Sequence, residues 1–391
     1  MSEVVDVVPP KKKKKVWLII LIVILVIILA AVGAAYLYVN HLGLNFRPRE
    51  DSSQVEDPSR VEDAIYGDAD AEDKSTYQGM ITAMQSNSSL TGILQDWYNS
   101  SGSLMSDSNI LNVLIIGVDA SGNDPMTGNS DVMMLCSIDK RNQKITLCSF
   151  LRDSYTYIKP NGNGYCSKLN AAYAAGGPNA LVDAIEHNYK IKIDYYAAVD
   201  FDAFVDVINA IGGINLSITP EEAEAIEEYS STWNDKTVVK SGENVHLNGK
   251  QALYFCRMRK IYATGDVQRT ENQRRVINAI IQKAKANLSV SLLNSVISTV
   301  APYVSTDMSS TNMISLGTSA VLGKWYNYTV YSMSAPPESA RASYNGSQWI
   351  WVVDYPFAAQ YVQKQIYGET NINIPDGTLS AIDVVNSNGM S

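Results

Sequence analysis

The chain has 391 residues, 46% apolar and 18% charged, with 40 acidic against 31 basic side chains and a formal net charge of -9. That much apolar sequence supports one large domain with appendages, and the acidic balance argues against a general nucleic-acid binder. Any anion site must be built from locally concentrated cations. The four cysteines and three histidines (His41, His187, His246) show no metal-ligand spacing, which argues against structural zinc.

Five lysines, Lys11 to Lys15, precede an uncharged run from Val16 to Val39. At about 1.5 Å per residue this run is about 36 Å long, against about 30 Å of bilayer hydrocarbon. Trp17 at one end and Tyr36 and Tyr38 at the other suit the two interfaces. The reading is a basic cytoplasmic tail (1–15), one transmembrane helix (16–39) and everything beyond residue 40 outside the cell. A cleaved signal peptide competes with it, but its apolar region would be unusually long. Residues 40–108 read as an extracytoplasmic linker and accessory segment: "REDSSQVEDPSRVED" and "NSSGSLMSDSN" are polar, and "YQGMITAMQ" and "LTGILQDWY" suit short helices.

The main domain is placed at 109–368. "ILNVLIIGVD", "DVMMLCSID" and "KITLCSFLRD" read as strands. Cys136 and Cys148 then lie nearly opposite across a hairpin, either as two buried thiols or as a cross-strand disulfide. "PNALVDAIEHNY" reads as a helix, "DYYAAVDF" as a strand, and "DAFVDVINAIGG" as a helix closed by glycines. "INLSI" is a strand, and Pro220 followed by acids opens a helix within a stretch that is either a lid or an insertion. "VQRTENQRRVINAIIQKAKANL" is an amphipathic helix burying Val276, Ile277, Ile280 and Ile281. "SLLNSVISTVAPYV" and "MISLGTSAVLGKW" are further helices. "YNGSQWIWVVD" and "FAAQYVQKQIYG" close the domain as strand and helix, leaving 369–391 as a loose tail. The alternation argues for a layered α/β protein, here a three-layer α-β-α sandwich on a central mixed sheet.

Asp119 stands just past an apolar strand and Asp131 opens the next, where ligands of α/β sheets bind. Two carboxylates suit a hard divalent cation completed by substrate oxygens; turn capping explains them equally well. "FCRMR" reads as a strand near the core, putting Arg257 and Arg259 on one face. Two such guanidiniums repel unless an anion lies between them. Asp266, Arg269 and Gln273 share a helix face. Arg152 ends a strand and Lys168 follows in "YCSKLNAAY". Arg274 and Arg275 read as a solvated face, and Cys256 as core. No nucleophile elbow or phosphate-cradling glycine loop is present.

Seven ordered blocks resemble the LytR-CpsA-Psr family of bacterial envelope proteins: "NVLIIGVDAS", "NSDVMMLCSID", "SFLRDSY", "KLNAAYAAGGPNALVDAIE", "DYYAAVDFDAFVDVINAIGGI", "HLNGKQALYFCRMRK" and "GDVQRTENQRRV". The resemblance implies a magnesium-assisted (manganese being the alternative) phosphotransferase anchored in the cell membrane. It would move a glycopolymer from a polyprenyl-pyrophosphate carrier to peptidoglycan, at a muramic acid 6-hydroxyl in teichoic-acid-type reactions. It implies Asp119 and Asp131 as metal ligands, Arg152, Lys168, Arg257, Arg259, Arg269 and Gln273 as the pyrophosphate clamp, and Asp266 as an acid beside them, here read as the acceptor's base. Asn272 departs from the family's usual Arg, which would cost the clamp one cation. A polyprenyl-pyrophosphate pyrophosphatase and a non-enzymatic glycan sensor or regulator are the competing readings. The long lipid calls for an apolar channel, for which "DYYAAVDFDAFVDVINAIGG" offers a lining.

Overall fold

The computed structural model describes residues 45–46, 58–66, 71–119, 129–258, 261–262, 266–287 and 304–387. The basic tail, the membrane span expected at 16–39 and nearly all of the helix expected at 291–304 lie outside them. Among the described residues no helix is long and apolar enough to cross a membrane.

In chain order, β1 (Asn45–Phe46) is followed by helices α1 (Pro58–Tyr66), α2 (Ala71–Ser86) and α3 (Ser88–Asn99). Strands β2 (Ile110–Asp119), β3 (Asn129–Asp139) and β4 (Lys144–Phe150) form an antiparallel meander. The hairpin β5 (Ser154–Ile158) and β6 (Tyr165–Lys168) leads into α4 (Asn170–Tyr189), which kinks at Gly176–Gly177. Then come β7 (Tyr195–Asp200), α5 (Phe201–Ala210), β8 (Ile214–Ile218), α6 (Pro220–Thr232), β9 (Gly242–Leu247) and α7 (Gly249–Arg257). The chain continues with α8 (Asp266–Asn287), β10 (Val304–Thr306), α9 (Ser310–Leu322) and β11 (Thr329–Ala335). It ends with β12 (Arg341–Tyr344), β13 (Ser347–Val353), α10 (Tyr355–Tyr367) and α11 (Ala381–Ser387).

The main sheet is mixed and seven-stranded, in the order β1-β10-β7-β2-β3-β4-β11. Strand β2 sits at its centre because it is apolar on both faces. One face buries Leu114, Ile116 and Val118 against α4 residues such as Leu181 and Ile185. On the other face of the sheet Met134 and Leu147 pack with Ile277 of α8. Helices thus cover both faces, as a layered α/β fold requires. A second sheet, β12-β13-β5-β6, was not foreseen; it depends on a parallel pairing of Trp351 with Ser154, nearly two hundred residues apart.

Three local expectations are corrected. The run around Arg257 is not a strand. Asn248 and Gln251 cap each other's backbone N–H groups, and this reciprocal cap nucleates α7, which ends at Arg257. Cys136 and Cys148 do not face each other: Cys136 pairs with Leu147 and Cys148 with Leu135. That one-residue offset puts them on opposite faces, so both thiols are free, and burial pushes each up to about 12. The tail expected to be loose instead carries α11, whose Val384 and Val385 join the main core.

The accessory helices are tied to the domain. Trp97 Nε1 donates to the Asn188 carbonyl at 2.8 Å, the Tyr98 hydroxyl bonds Asp183, and His187 stacks on Tyr98 with its Nε2 3.3 Å from Asp183. The Asp183 bond raises the His187 pKa above its usual 6.5. A raised histidine contributes stability that is complete below the unfolded pKa and is lost as pH rises through the folded one. The melting temperature should therefore fall, as pH rises above about 6.5, more steeply in the native protein than in His187→Gln. Parallel slopes in a pH series of thermal melts would remove this role.

Candidate functional site

At the C-terminal ends of β2 and β7 two cavities adjoin. The first, about 300 Å³, is polar and is lined by Asp63, Asp119, Asp131, Arg152, Lys168 and Arg257, among others. The second, about 530 Å³, is mostly apolar, with Ile115, Met134, Val199, Phe201, Phe204 and Leu253 in its lining. Asp131 and Arg257 belong to both.

A bulge aims Asp131. Gly117 pairs with Val132 and Val118 with Ser130, so Asp131 is an extra residue in β3. Bulges of this kind re-aim a side chain at a site. Gly117 permits the tight pairing: a Cβ there would meet the Val132 Cβ at 2.8 Å. From this position the Asp131 carboxylate accepts from Arg152 Nη1 at 2.5 Å. Arg152 sits in the turn between β4 and β5 with its side chain 9% exposed. Next to it Asp153 holds Lys168 Nζ at 2.7 Å, and Lys168 also reaches the Ile65 carbonyl at 3.2 Å and lies 3.5 Å over the Trp349 ring. Helix α1 therefore walls the polar cavity, with the Ala64 carbonyl accepting from Asn170 at 2.6 Å.

Arg257 enters from the end of α7. Its Nε donates to the Tyr229 hydroxyl at 2.7 Å and its Nη2 lies 3.4 Å from Asp119. Its guanidinium stacks near Phe201, Tyr229 and Trp233. Burial opposes the cation, but the Tyr229 bond and the charges of Asp119 and Asp131 outweigh it and raise the pKa. Its Nη1 is buried with no hydrogen-bond partner among the described residues, a costly state that an incoming acceptor would relieve. Arg269 and Gln273 of α8 both line the apolar cavity, and Arg269 Nη2 is 3.5 Å from the carbonyl of Asp131, which both cavities share. Arg259 and the side chain of Asp266 lie outside the described residues; Asp266 opens α8.

Helix α6 is a wall of the apolar cavity, through Ala225, Glu228, Tyr229 and Thr232. Arg274 and Arg275 are not a solvated face. Arg274 pairs with Glu271 and reaches Ser334 Oγ at 3.1 Å, and Arg275 pairs with Glu222 at 2.7 Å. Asn272 lines neither cavity. Its Nδ2 donates to the Tyr262 hydroxyl at 2.9 Å. Cys256 is buried in the apolar wall, and burial pushes its thiol up to about 12. His246 Nδ1 lies 3.3 Å from Asn215 Oδ1, and His246 lines neither cavity.

The approach of α7 to α5 fixes where Arg257 lies. A Cβ on Gly249 would fall 2.2 Å from the Val205 carbonyl oxygen, a backbone atom that cannot swing aside. Gly249→Ala should destabilise by about 1–3 kcal/mol, as overpacking does, and displace Arg257. An unchanged denaturant midpoint would show that the two helices separate freely.

Among the described residues no three His, Cys, Asp or Glu side chains converge on one point. Asp119 and Asp131 are two hard oxygen donors at the cavity edge, a set that fits a magnesium-sized cation completed by substrate oxygens. Around the two cavities the six carboxylates Asp63, Asp119, Asp131, Asp153, Asp200 and Glu228 outnumber the four cations Arg152, Lys168, Arg257 and Arg269. A divalent cation would offset that excess of negative charge.

Fold and site define an α/β protein with an anion-ready polar cavity opening into an apolar one at the edge of a mixed sheet. The LytR_cpsA_psr family model matches residues 67–365, and the chain belongs to that family. Among curated proteins it is 29% identical over 204 residues to the polyisoprenyl-teichoic acid–peptidoglycan teichoic acid transferase TagV of Bacillus subtilis, covering 52% of this chain and 51% of that one. It is 34% identical over 218 residues to the similarly named TagU of Enterococcus faecalis, covering 54% and 67%. The chain thus spans between about half and two thirds of these relatives. A solved Streptococcus agalactiae protein superposes with a TM-score of 0.58 at 26% identity, covering 73% of this chain and 96% of that one. Bacillus subtilis TagV superposes at 0.51 and 24% identity, covering 68% and 100%, a likeness of fold.

Proposed function

We propose that this chain is a membrane-anchored, extracytoplasmic phosphotransferase that moves a glycopolymer from a polyprenyl-pyrophosphate carrier onto peptidoglycan. One observation carries the reading: a polar cavity that gathers Arg152, Lys168 and Arg257 with two candidate metal carboxylates, and an apolar cavity, share Asp131 and Arg257, which matches a metal-bound donor that is pyrophosphate at one end and hydrocarbon at the other. The names of TagV and TagU support the same class of reaction.

The chemistry asks for little covalent work from the protein. Arg152, Lys168 and Arg257 hold the pyrophosphate oxygens, Arg259, Arg269 and Gln273 complete the clamp, and the apolar cavity takes the first part of the prenyl chain. Magnesium bound by Asp119 and Asp131 would neutralise oxygen charge there. The acceptor hydroxyl forms a bond to the glycan-side phosphorus as the bond to polyprenyl phosphate breaks, and Asp266 takes the hydroxyl proton. The lysine-flanked run at 16–39 anchors the domain outside the membrane, with the N-terminus inside.

The test mixes the full chain with a polyprenyl-pyrophosphate-linked glycan and a peptidoglycan oligomer, with magnesium or chelator, and reads products by mass spectrometry. A magnesium-dependent glycan-phosphate-peptidoglycan adduct is expected, with Asp266→Asn lowering turnover far more than donor binding. Released polyprenyl phosphate without adduct would make the protein a pyrophosphatase; donor binding without turnover would make it a sensor.

A further inference from the structure

Strand β1 records where the expected membrane span joins the domain. Asn45 is level with Ser305 of β10 and, through it, with Ala198 of β7; Phe46 is level with Thr306 and Ala197. Traced backward from Phe46 to Asn45, β1 points toward Val199 and Asp200, the end of β7 where Val118 of β2 also lies. This is the end of the sheet that carries both cavities. In the sequence, only five residues separate Val39, the last of the apolar run, from Asn45. Fully extended, the chain from Val39 to Asn45 covers at most about 21 Å. The cavity end of the sheet is therefore held close to the membrane.

At that end two large apolar side chains are exposed. Ile261 lines the apolar cavity and is 41% exposed. Trp233 follows Thr232 of the cavity wall, is 49% exposed, and has its ring 5.4 Å from the Arg257 guanidinium. Tryptophan favours the headgroup region of a bilayer, and an apolar rim continuous with an apolar cavity gains by burial in lipid. Glu224 and Glu228 on α6 are exposed beside exposed Lys236, a mixed charge that gives anionic headgroups no net attraction, so the contact is apolar.

We infer that the rim formed by Trp233 and Ile261 rests in the bilayer that anchors the chain, so that a prenyl tail passes from the membrane into the apolar cavity without crossing water. The inference rests on the anchored-transferase reading above and adds the surface by which the donor arrives.

The test uses the full chain in vesicles of phosphatidylglycerol and phosphatidylethanolamine. Single labelling sites are made by Trp233→Cys, Ile261→Cys and, as a control, Leu322→Cys, each with Cys136→Ser. Leu322 is 77% exposed and precedes β11, whose Thr329 is level with Lys144 and so with the opposite end of the sheet. An environment-sensitive fluorophore at 233 and 261 should lose at least half its emission when the lipids carry brominated chains, and the loss should persist in high salt. The label at 322 should keep its emission. Labelled chains that float with the vesicles, in a preparation whose native chain transfers glycan, yet show 233 and 261 as unquenched as 322, overturn this inference alone. A chain that does not float overturns the anchor and this inference with it. Quenching that disappears in salt would replace the apolar contact with an electrostatic one and also count against it.

Discussion

Arg257→Ala should lower turnover by about 10²–10³-fold, the usual loss when one preorganised donor is removed from a developing anion. The expectation rests on how Arg257 is held. Tyr229 fixes Nε, Asp119 lies beside Nη2, and Phe201 and Trp233 flank the guanidinium, while Nη1 has no hydrogen-bond partner among the described residues. The side chain is thus aimed before substrate arrives and pays little reorganisation on binding. Arg257→Lys keeps the charge but loses the planar fork, so it should fall between alanine and the native residue. Stability should change little, because the one carboxylate paired with Arg257 is 46% exposed and such pairs are worth about 0–1 kcal/mol. Asp131→Ala should behave differently. It removes the nearer of the two carboxylates beside Arg152, leaving Asp153 Oδ2 at 3.7 Å. Weakening a pair whose guanidinium side is only 9% exposed should cost stability, at most the loss of about 3–5 kcal/mol for a broken buried pair. Turnover and thermal melts on the two variants separate the roles: Arg257→Ala within threefold of native activity would remove it from the clamp.

Much of this arrangement is visible in the amino-acid sequence, and the failures have physical causes. Strands β2 to β4 are legible because continuous apolar runs end abruptly at Asp119, Asp139 and Arg152, and helix α6 because Thr219, Pro220 and Glu222 form a capped start. The run "FCRMR" reads as a strand because Arg257 and Arg259 alternate with apolar residues. The deciding signal lies upstream, in the Asn248 and Gln251 cap. Asp119, Asp131, Arg152, Lys168 and Arg257 come together at one cavity, and Arg269 and Gln273 line the other. Of their supports, Asp153 is marked in the sequence by its place beside Arg152 in "FLRD", since a buried Lys168 needs an anion. Tyr229, Trp349 and the α1 carbonyls have no local signature. They join the site through contacts across long stretches of chain, as the pairing of Trp351 with Ser154 joins the second sheet.

Ala225→Phe should separate the lipid-binding half of the site from the phosphate-binding half. Ala225 projects from α6 into the apolar cavity, and at about 530 Å³ that cavity accommodates a benzyl group without displacing wall atoms. Folding should therefore be unchanged or slightly favoured, as cavity filling usually is. A donor with a long prenyl chain would lose the space for two or three methylene equivalents, each worth about 0.8 kcal/mol when buried, which weakens binding roughly 15- to 60-fold. The loss should appear in KM and leave kcat near native, because Arg152, Arg257 and Asp131 are untouched and the interaction removed is as strong in the ground state as in the transition state. A donor truncated to one or two isoprene units should bind native and variant alike, since it never reaches position 225. If long and short donors respond equally, the apolar cavity is ordinary packing space and the lipid runs elsewhere. If only the long donor suffers, the route of the prenyl chain past α6 is established without reference to the metal or the acceptor.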